Sequence, residues 1–136
     1  MTLKEEIIIT FNDLVNTLKI LSQGLGITVS LFFITILLSL PLGFVTTLLS
    51  QTKITPIRWI ARFYVFIMRG TPLMLQLLFV YFGLPYIPFV GQFLVLDRFT
   101  AACVAFVLNY AAYFCEIFRG GIKSIDKGQY EAAQVL

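Results

Sequence analysis

The chain has 136 residues, 59% of them hydrophobic and 12% charged, with a mean hydropathy of +0.91. A soluble domain of this size cannot hide so much apolar surface, so the composition indicates an integral membrane protein. Its net charge of +3 is scattered over loops and forms no stripe for a nucleic acid; histidine is absent, and no Cys, Asp or Glu cluster has metal-ligand spacing, so neither a His-based triad nor a bound metal is expected.

Residues 1–19 form a lead of mixed charge containing Lys4, Glu5, Glu6, Asp13 and Lys19. It is too long and too charged for a signal peptide, and no small-residue cleavage site follows it. From Ile20 to Thr52 no residue is formally charged. A hydrocarbon core about 30 Å thick takes roughly 20 helical residues, which places a first span at about 27–49. Thr28, Ser30, Thr35, Ser39, Thr46 and Thr47 punctuate this run, with Pro41 and Gly43 in its later half. Two readings fit these hydroxyls: close helix packing around a proline kink, or the lining of a transport path.

Ile54 to Met68 interleaves Trp59, Tyr64 and Phe66 with the nearby bases Lys53, Arg58 and Arg62, the pattern of a helix at the membrane interface that leads into a second span, about 59–84. At Arg69-Gly70-Thr71-Pro72 the proline disfavours an α conformation for Thr71. The chain is predicted to kink or briefly unwind there, with Thr71 capping the next helix and Pro72 in its first turn. Arg69 then has two readings, a cation beside free amides that receives a substrate carboxylate, or a side chain that snorkels to headgroups. Pro85, Pro88 and Gly91, among the apolar Phe89, Val90, Phe93 and Leu94, suggest a re-entrant or interfacial connection.

A third uncharged run, Phe99 to Cys115, is bounded by Arg98 and Glu116 and predicts a span at about 97–118. Helical spacing sets Asn109, Tyr113 and Glu116 on one face, which should turn away from lipid. Glu116 either pairs with Arg119 for structure or takes part in substrate or gate chemistry. Cys103 and Cys115 are too far apart along one helix to pair and read as packing residues. Gly120-Gly121-Ile122-Lys123-Ser124 lacks the spacing of a phosphate loop and reads as a flexible exit from the span, so any ATP is hydrolysed on another chain.

Basic loops stay cytoplasmic. Lys53, Arg58, Arg62 and Arg69 lie on one side of the second span, and Arg119, Lys123 and Lys127 follow the third. The chain therefore reads as an all-α integral membrane protein with three transmembrane helices, N-terminus out and C-terminus in. An interfacial segment precedes helix 2, residues 20–118 form the transmembrane domain, and 119–136 lie on the cytoplasmic side.

Three ordered motifs carry a family resemblance. Phe66-Ile67-Met68-Arg69-Gly70-Thr71-Pro72-Leu73 with Gln76 and Tyr81-Phe82-Gly83, then Asn109-Tyr110-Ala111-Ala112-Tyr113 through Glu116-Ile117-Phe118-Arg119-Gly120-Gly121, then Gly128-Gln129-Tyr130-Glu131-Ala132-Ala133 are similar to segments of ABC importer permeases. The closer resemblance is to the polar amino acid branch, and it covers roughly residues 20–136. It implies an inner-membrane permease subunit that binds no cofactor itself. Its implied partners are ATPase subunits that hold ATP, a second permease subunit, identical or paralogous, and an extracytoplasmic amino acid binding protein. The last motif is similar to the start of the EAA loop, the helix that docks on the ATPase, which makes Gly128, Tyr130, Glu131, Ala132 and Ala133 the coupling residues. Arg69, Gly70, Thr71, Asn109, Tyr113 and Glu116 are the candidates for the substrate path. Asp126 stands where the family commonly has proline and Tyr130 where it commonly has tryptophan; the first of these departures is expected to loosen the turn into the coupling helix. The family pattern continues past Glu-Ala-Ala to a glycine and two further spans, whereas this sequence stops at Leu136, so a partial permease is expected. A membrane anchor or assembly subunit would match the composition but not the three motifs. An ion-coupled secondary transporter fragment would use Glu116 as a proton relay and need no ATPase.

Overall fold

A computed structural model describes residues 3–89 and 91–135, the side chain of Glu5 excepted. It divides into two units, Met1–Phe33 and Ile34–Leu136. The first helix, α1, runs Leu3–Gln51 and contains Pro41. At 49 residues it exceeds the roughly 20 that a crossing requires. The charged lead is thus helical and continuous with the apolar run, with no boundary near residue 27. Within the first unit the polar side chains turn back onto their own helix: Thr10, Thr17, Thr28 and Ser30 each donate to the carbonyl four residues earlier, at 2.8–3.0 Å.

The second unit is built on small residues that let backbones approach. A Cβ on Gly43 would lie 2.6 Å from Phe114 Cβ and 3.0 Å from the Ala111 carbonyl. Facing it on helix α4, Arg98–Lys123, are the fully buried Ala111, Ala112 and Cys115. Thr47 shares its one hydroxyl proton between Gly43 O at 2.8 Å and Cys115 O at 3.2 Å, so the second bond ties α1 to α4. Thr46 and Ser50 return their hydroxyls to carbonyls of α1. Such back-bonding satisfies hydroxyls where no water is at hand, and among the described residues Thr35 and Ser39 are buried with no partner for either oxygen.

Helix α2, Thr55–Gly70, starts with Pro56 in its first turn, where the missing N–H costs nothing. It buries Ala61 and Val65, the latter packing with Ala112 and Cys115 of α4, and leaves Trp59, Ile60, Phe63 and Phe66 exposed on its other side. The short helix α3, Leu73–Leu78, follows at a sharp angle. The bend between Thr55–Gly70 and Leu73–Tyr86 is 108°. The apolar stretch predicted as one span over 59–84 is therefore two pieces, as the kink at Thr71-Pro72 required.

Beyond α3 the chain passes through a wide π turn, Phe79–Gly83, and tight 3-10 turns at Leu84–Tyr86 and Gly91–Phe93. Val80 packs there with Ala101 and Ala105 of α4. Gly91 is pressed against the backbone, since a Cβ would fall 2.2 Å from the Pro85 carbonyl oxygen. Val90, read above as part of the apolar connection, lies outside the described residues.

Helix α4 is capped by Asp97, whose carboxylate accepts the amides of Phe99 and Thr100 at 3.1 and 3.2 Å. It runs on through Gly120 and Gly121, so that pair is no flexible exit. Helical bonding continues to Ser124, whose amide reaches Gly120 O and Gly121 O. Helix α5, Lys127–Val135, is exposed along its length. Its entry is not loosened by Asp126, which accepts the Gly128 amide at 3.2 Å and so acts as the cap.

Among the described residues, two helices are by length and composition able to cross a membrane, or three if the bent pair counts as one span.

Candidate functional site

The 108° bend creates a specific chemical deficit. In a continuous helix the Met68 carbonyl would accept from the amide of residue 72, but Pro72 has no N–H. The last backbone bond of α2 runs from the Thr71 amide to Ile67 O at 3.0 Å, and Met68 O is left over. Two side-chain amides supply the missing donors. Gln76 Nε2, from one turn into α3, reaches Met68 O at 2.9 Å, and Asn109 Nδ2 of α4 reaches it at 3.1 Å. Asn109 Nδ2 also donates to Gln76 Oε1 at 3.0 Å, so both its hydrogens are used.

Gln76 Nε2 also lies 3.1 Å from Thr71 O and 2.8 Å from Thr71 Oγ1, so its two hydrogens are shared among three acceptors. The Thr71 hydroxyl in turn donates to Ile67 O at 2.8 Å. Thr71 thus does not cap α3, which begins at Leu73 with Pro72 at its cap position and no side-chain cap. It closes α2 instead, in an extended conformation (φ −113°, ψ 143°). Its amide is bonded, so it offers no free donor. Tyr64 secures the same region by donating its hydroxyl to Leu108 O across to α4.

Beside this joint lies a charged group. Arg119 Nη2 sits 2.7 Å from Glu116 Oε2, and Arg69 Nη1 sits 3.6 Å from the same oxygen. The pairing of Glu116 with Arg119 on one helix and its link to α2 through Arg69 are both present. The guanidinium of Arg69 also lies over the Tyr113 ring, 5.6 Å from its centre, within cation–π range. Of the three residues placed on one face of α4, Asn109 is buried and Glu116 partly so, while Tyr113 is 43% exposed. The face is therefore turned inward at its ends more than at its middle.

Arg69, Gly70 and Glu116 line a cavity of about 510 Å³ with Arg62, Arg119, Lys123 and Ser50. Thr71, Asn109 and Tyr113 adjoin it through the bonds and stacking above but do not line it. Sequence reasoning passed over Gln76 as a site residue, together with Arg62 and Lys123. The signal for Gln76 was available: a proline orphans the carbonyl four residues back, and a membrane offers no water to satisfy it. The candidate coupling residues Gly128, Tyr130, Glu131, Ala132 and Ala133 all lie on α5, with Tyr130 half exposed. Cys103 and Cys115 are both free thiols.

Comparison with known proteins adds the lineage. The model of the family described as binding-protein-dependent transport system inner membrane component matches residues 53–136, more than half of the chain. The chain is 44% identical to the arginine transport system permease protein ArtQ of Bacillus subtilis, over 93% of this chain and 56% of that protein. It is 40% identical to a putative glutamine transport system permease protein of Rickettsia typhi, over 84% of this chain and 50% of that one. Among solved structures, an amino acid ABC transporter crystallised with histidines superposes with a TM-score of 0.80 at 35% identity, over 92% of this chain and 56% of that chain. The chain thus spans about half the length of the curated relatives it matches. With apolar helices able to span a bilayer and a family of inner-membrane components behind them, it is an inner-membrane protein. It belongs to the binding-protein-dependent transport system inner membrane component family.

Proposed function

We propose that the chain is the membrane-spanning permease part of an ATP-driven importer of a polar amino acid, oriented N-terminus out and C-terminus in. What carries this reading is its likeness, over most of its length, to permeases named for arginine and glutamine transport. The distribution of Lys53, Arg58, Arg62 and Arg69 with Arg119, Lys123 and Lys127 supports the orientation. The spans in this reading are the apolar part of α1, the bent pair α2–α3 and α4. ATP is bound and hydrolysed by separate ATPase subunits, a second permease subunit completes the pathway, and an extracytoplasmic binding protein delivers the substrate.

An amino acid carries a carboxylate and an ammonium, and the joint offers a partner for each. Arg69 is held by Glu116 at a separation of 3.6 Å, looser than the Arg119 contact at 2.7 Å, and is the cation with less to lose on turning to a carboxylate. Glu116 is the corresponding acceptor for an ammonium. Asn109 and Thr71 hold the break beside which Arg69 projects, Gly70 ends α2 there, and the Tyr113 ring lies under the Arg69 guanidinium. Helix α5 presents Tyr130, Glu131, Ala132 and Ala133 to the ATPase, with Gly128 in the first turn bonded to Asp126.

The test is uptake of radiolabelled arginine and glutamine into proteoliposomes holding the permease, its ATPase and its binding protein. ATP-dependent uptake is expected. Arg69→Ala should lower uptake at limiting substrate by at least about tenfold, the loss of a charge-assisted contact, and uptake that persists unchanged removes Arg69 from the path. Uptake driven by an ion gradient without the ATPase would replace this reading with a secondary transporter. Glu131→Lys should leave membrane insertion intact and weaken co-purification with the ATPase; unaltered co-purification removes α5 from the coupling surface.

A further inference from the structure

The cavity between α2 and α4 carries more positive charge than its own residues neutralise. Arg62, Arg69, Arg119 and Lys123 line it against a single carboxylate, Glu116. Glu116 is taken by Arg119 and Arg69. Among the described residues, neither Arg62 nor Lys123 pairs with a carboxylate. Four cations against one anion leave three positive charges uncompensated on the side the basic residues mark as cytoplasmic, where anionic headgroups lie.

The lining is also amphiphilic. Phe66 forms part of the wall and is 74% exposed, and Trp59, earlier on the same helix, is 66% exposed. On α4, Arg119 and Lys123 stand four residues apart and so share a face, with Arg62 contributed by α2. Guanidinium groups fit phosphate oxygens with two parallel donors, and the lysine adds a point charge. Basic cavities between membrane helices are where anionic headgroups lodge.

We propose that Arg62 and Lys123, with Arg119, bind the phosphate of an anionic phospholipid whose acyl chains run along Phe66 and Trp59. This site goes beyond the transport reading and does not depend on it. Arg69 and Glu116 line the same cavity and Glu116 also holds Arg119, so the phosphate contact falls mainly to Arg62 and Lys123.

The experiment is native mass spectrometry of the full chain in neutral detergent, titrated with phosphatidylglycerol and, separately, with phosphatidylcholine. Phosphatidylglycerol is expected to bind more tightly by at least about tenfold. Arg62→Gln and Lys123→Gln should each weaken it about fivefold, given what one basic residue contributes near an anionic surface. Arg62→Lys, which keeps the charge and loses the paired donors, should weaken binding less than Arg62→Gln, and this partial rescue guards against a variant that merely misfolds. Lys53→Gln and Arg58→Gln, which remove bases outside the cavity, should leave binding unchanged. Equal binding of the two lipids overturns the proposal. So does an equal loss in the Lys53 and Arg58 variants, which would indicate diffuse surface attraction. Binding of inorganic phosphate as tight as that of the lipid would also overturn it, because the acyl chains would then contribute nothing.

Discussion

Replacing Gln76 with leucine tests whether side-chain amides close the joint between α2 and α3. The substitution keeps approximate size and removes every polar contact of the side chain. Met68 O loses its donor at 2.9 Å and keeps Asn109 at 3.1 Å, while Asn109 loses the acceptor at 3.0 Å that occupies its second hydrogen. The bonds to Thr71 are exposed and are given no weight. Polar contacts between membrane helices average about 0.6 kcal/mol and reach about 1.7 kcal/mol, so two part-buried bonds amount to about 1–3 kcal/mol. The assay is unfolding in mixed SDS micelles followed by the fluorescence of Trp59, the chain's single tryptophan. Because a single variant also changes packing, Gln76→Leu, Asn109→Leu and the double variant form a cycle whose coupling isolates the amide pair. A coupling of about 0.6–1.7 kcal/mol is expected. Additive losses, within about 0.3 kcal/mol, would show that each amide acts alone and would refute the shared role assigned to them.

Gly43→Ala should destabilise the same unfolding transition by about 1–3 kcal/mol, because its Cβ meets Phe114 and the Ala111 carbonyl, neither of which can retreat without moving α4. Gly24→Ala, where nothing lies within 4 Å, should be neutral or gain about 0.5–1 kcal/mol of helix stability, and a similar loss at both positions would contradict the close approach. Asp97, the exposed cap residue that precedes α4, is held below the usual carboxylate range, first by the Thr100 hydroxyl and then by the amides of Thr100 and Phe99. With its folded pKa depressed, its cap stabilises α4 above the ordinary carboxylate pKa, and that contribution is lost as pH falls through the lower folded value. The difference in unfolding between the native chain and Asp97→Ala should therefore shrink in acid, and a difference independent of pH would mean that the charge plays no part.

How far the sequence could be read depended on whether a feature was written locally. The all-helical, membrane-spanning class was legible because an uncharged run bounded by Arg98 and Glu116 has few alternatives. The break was legible because Pro72 and its predecessor obey local steric rules. The family lineage was legible because three motifs recur in order. The magnitude of the bend was not, since a proline dictates a missing bond and leaves the direction taken afterwards to whatever packs on the far side. Here that is Val80 settling against Ala101 and Ala105 of α4. Likewise the reading of Asp126 erred by treating a departure from the family pattern as a loss. Aspartate performs by hydrogen bonding the helix start that proline performs by fixing φ.

The site follows the same division. Asn109, Tyr113 and Glu116 were placed on one face by arithmetic along a single helix, and that arithmetic could say nothing about which of them would meet α2. Their separate fates come from where α2 ends. Met68 O, orphaned at the break, draws Asn109 and Gln76 into one network, and Arg69, one residue later, falls beside Glu116 and Tyr113. A backbone bond in a helix is held by both neighbouring turns and is hard to exchange, whereas the Met68 carbonyl is held by two side chains from different helices. Rotating α3 against α2 would cost those amide contacts and few backbone bonds. The same proline that brings polar residues together beside the charged cavity thus leaves the bend held by side-chain amides where a continuous helix would be held by its backbone ladder.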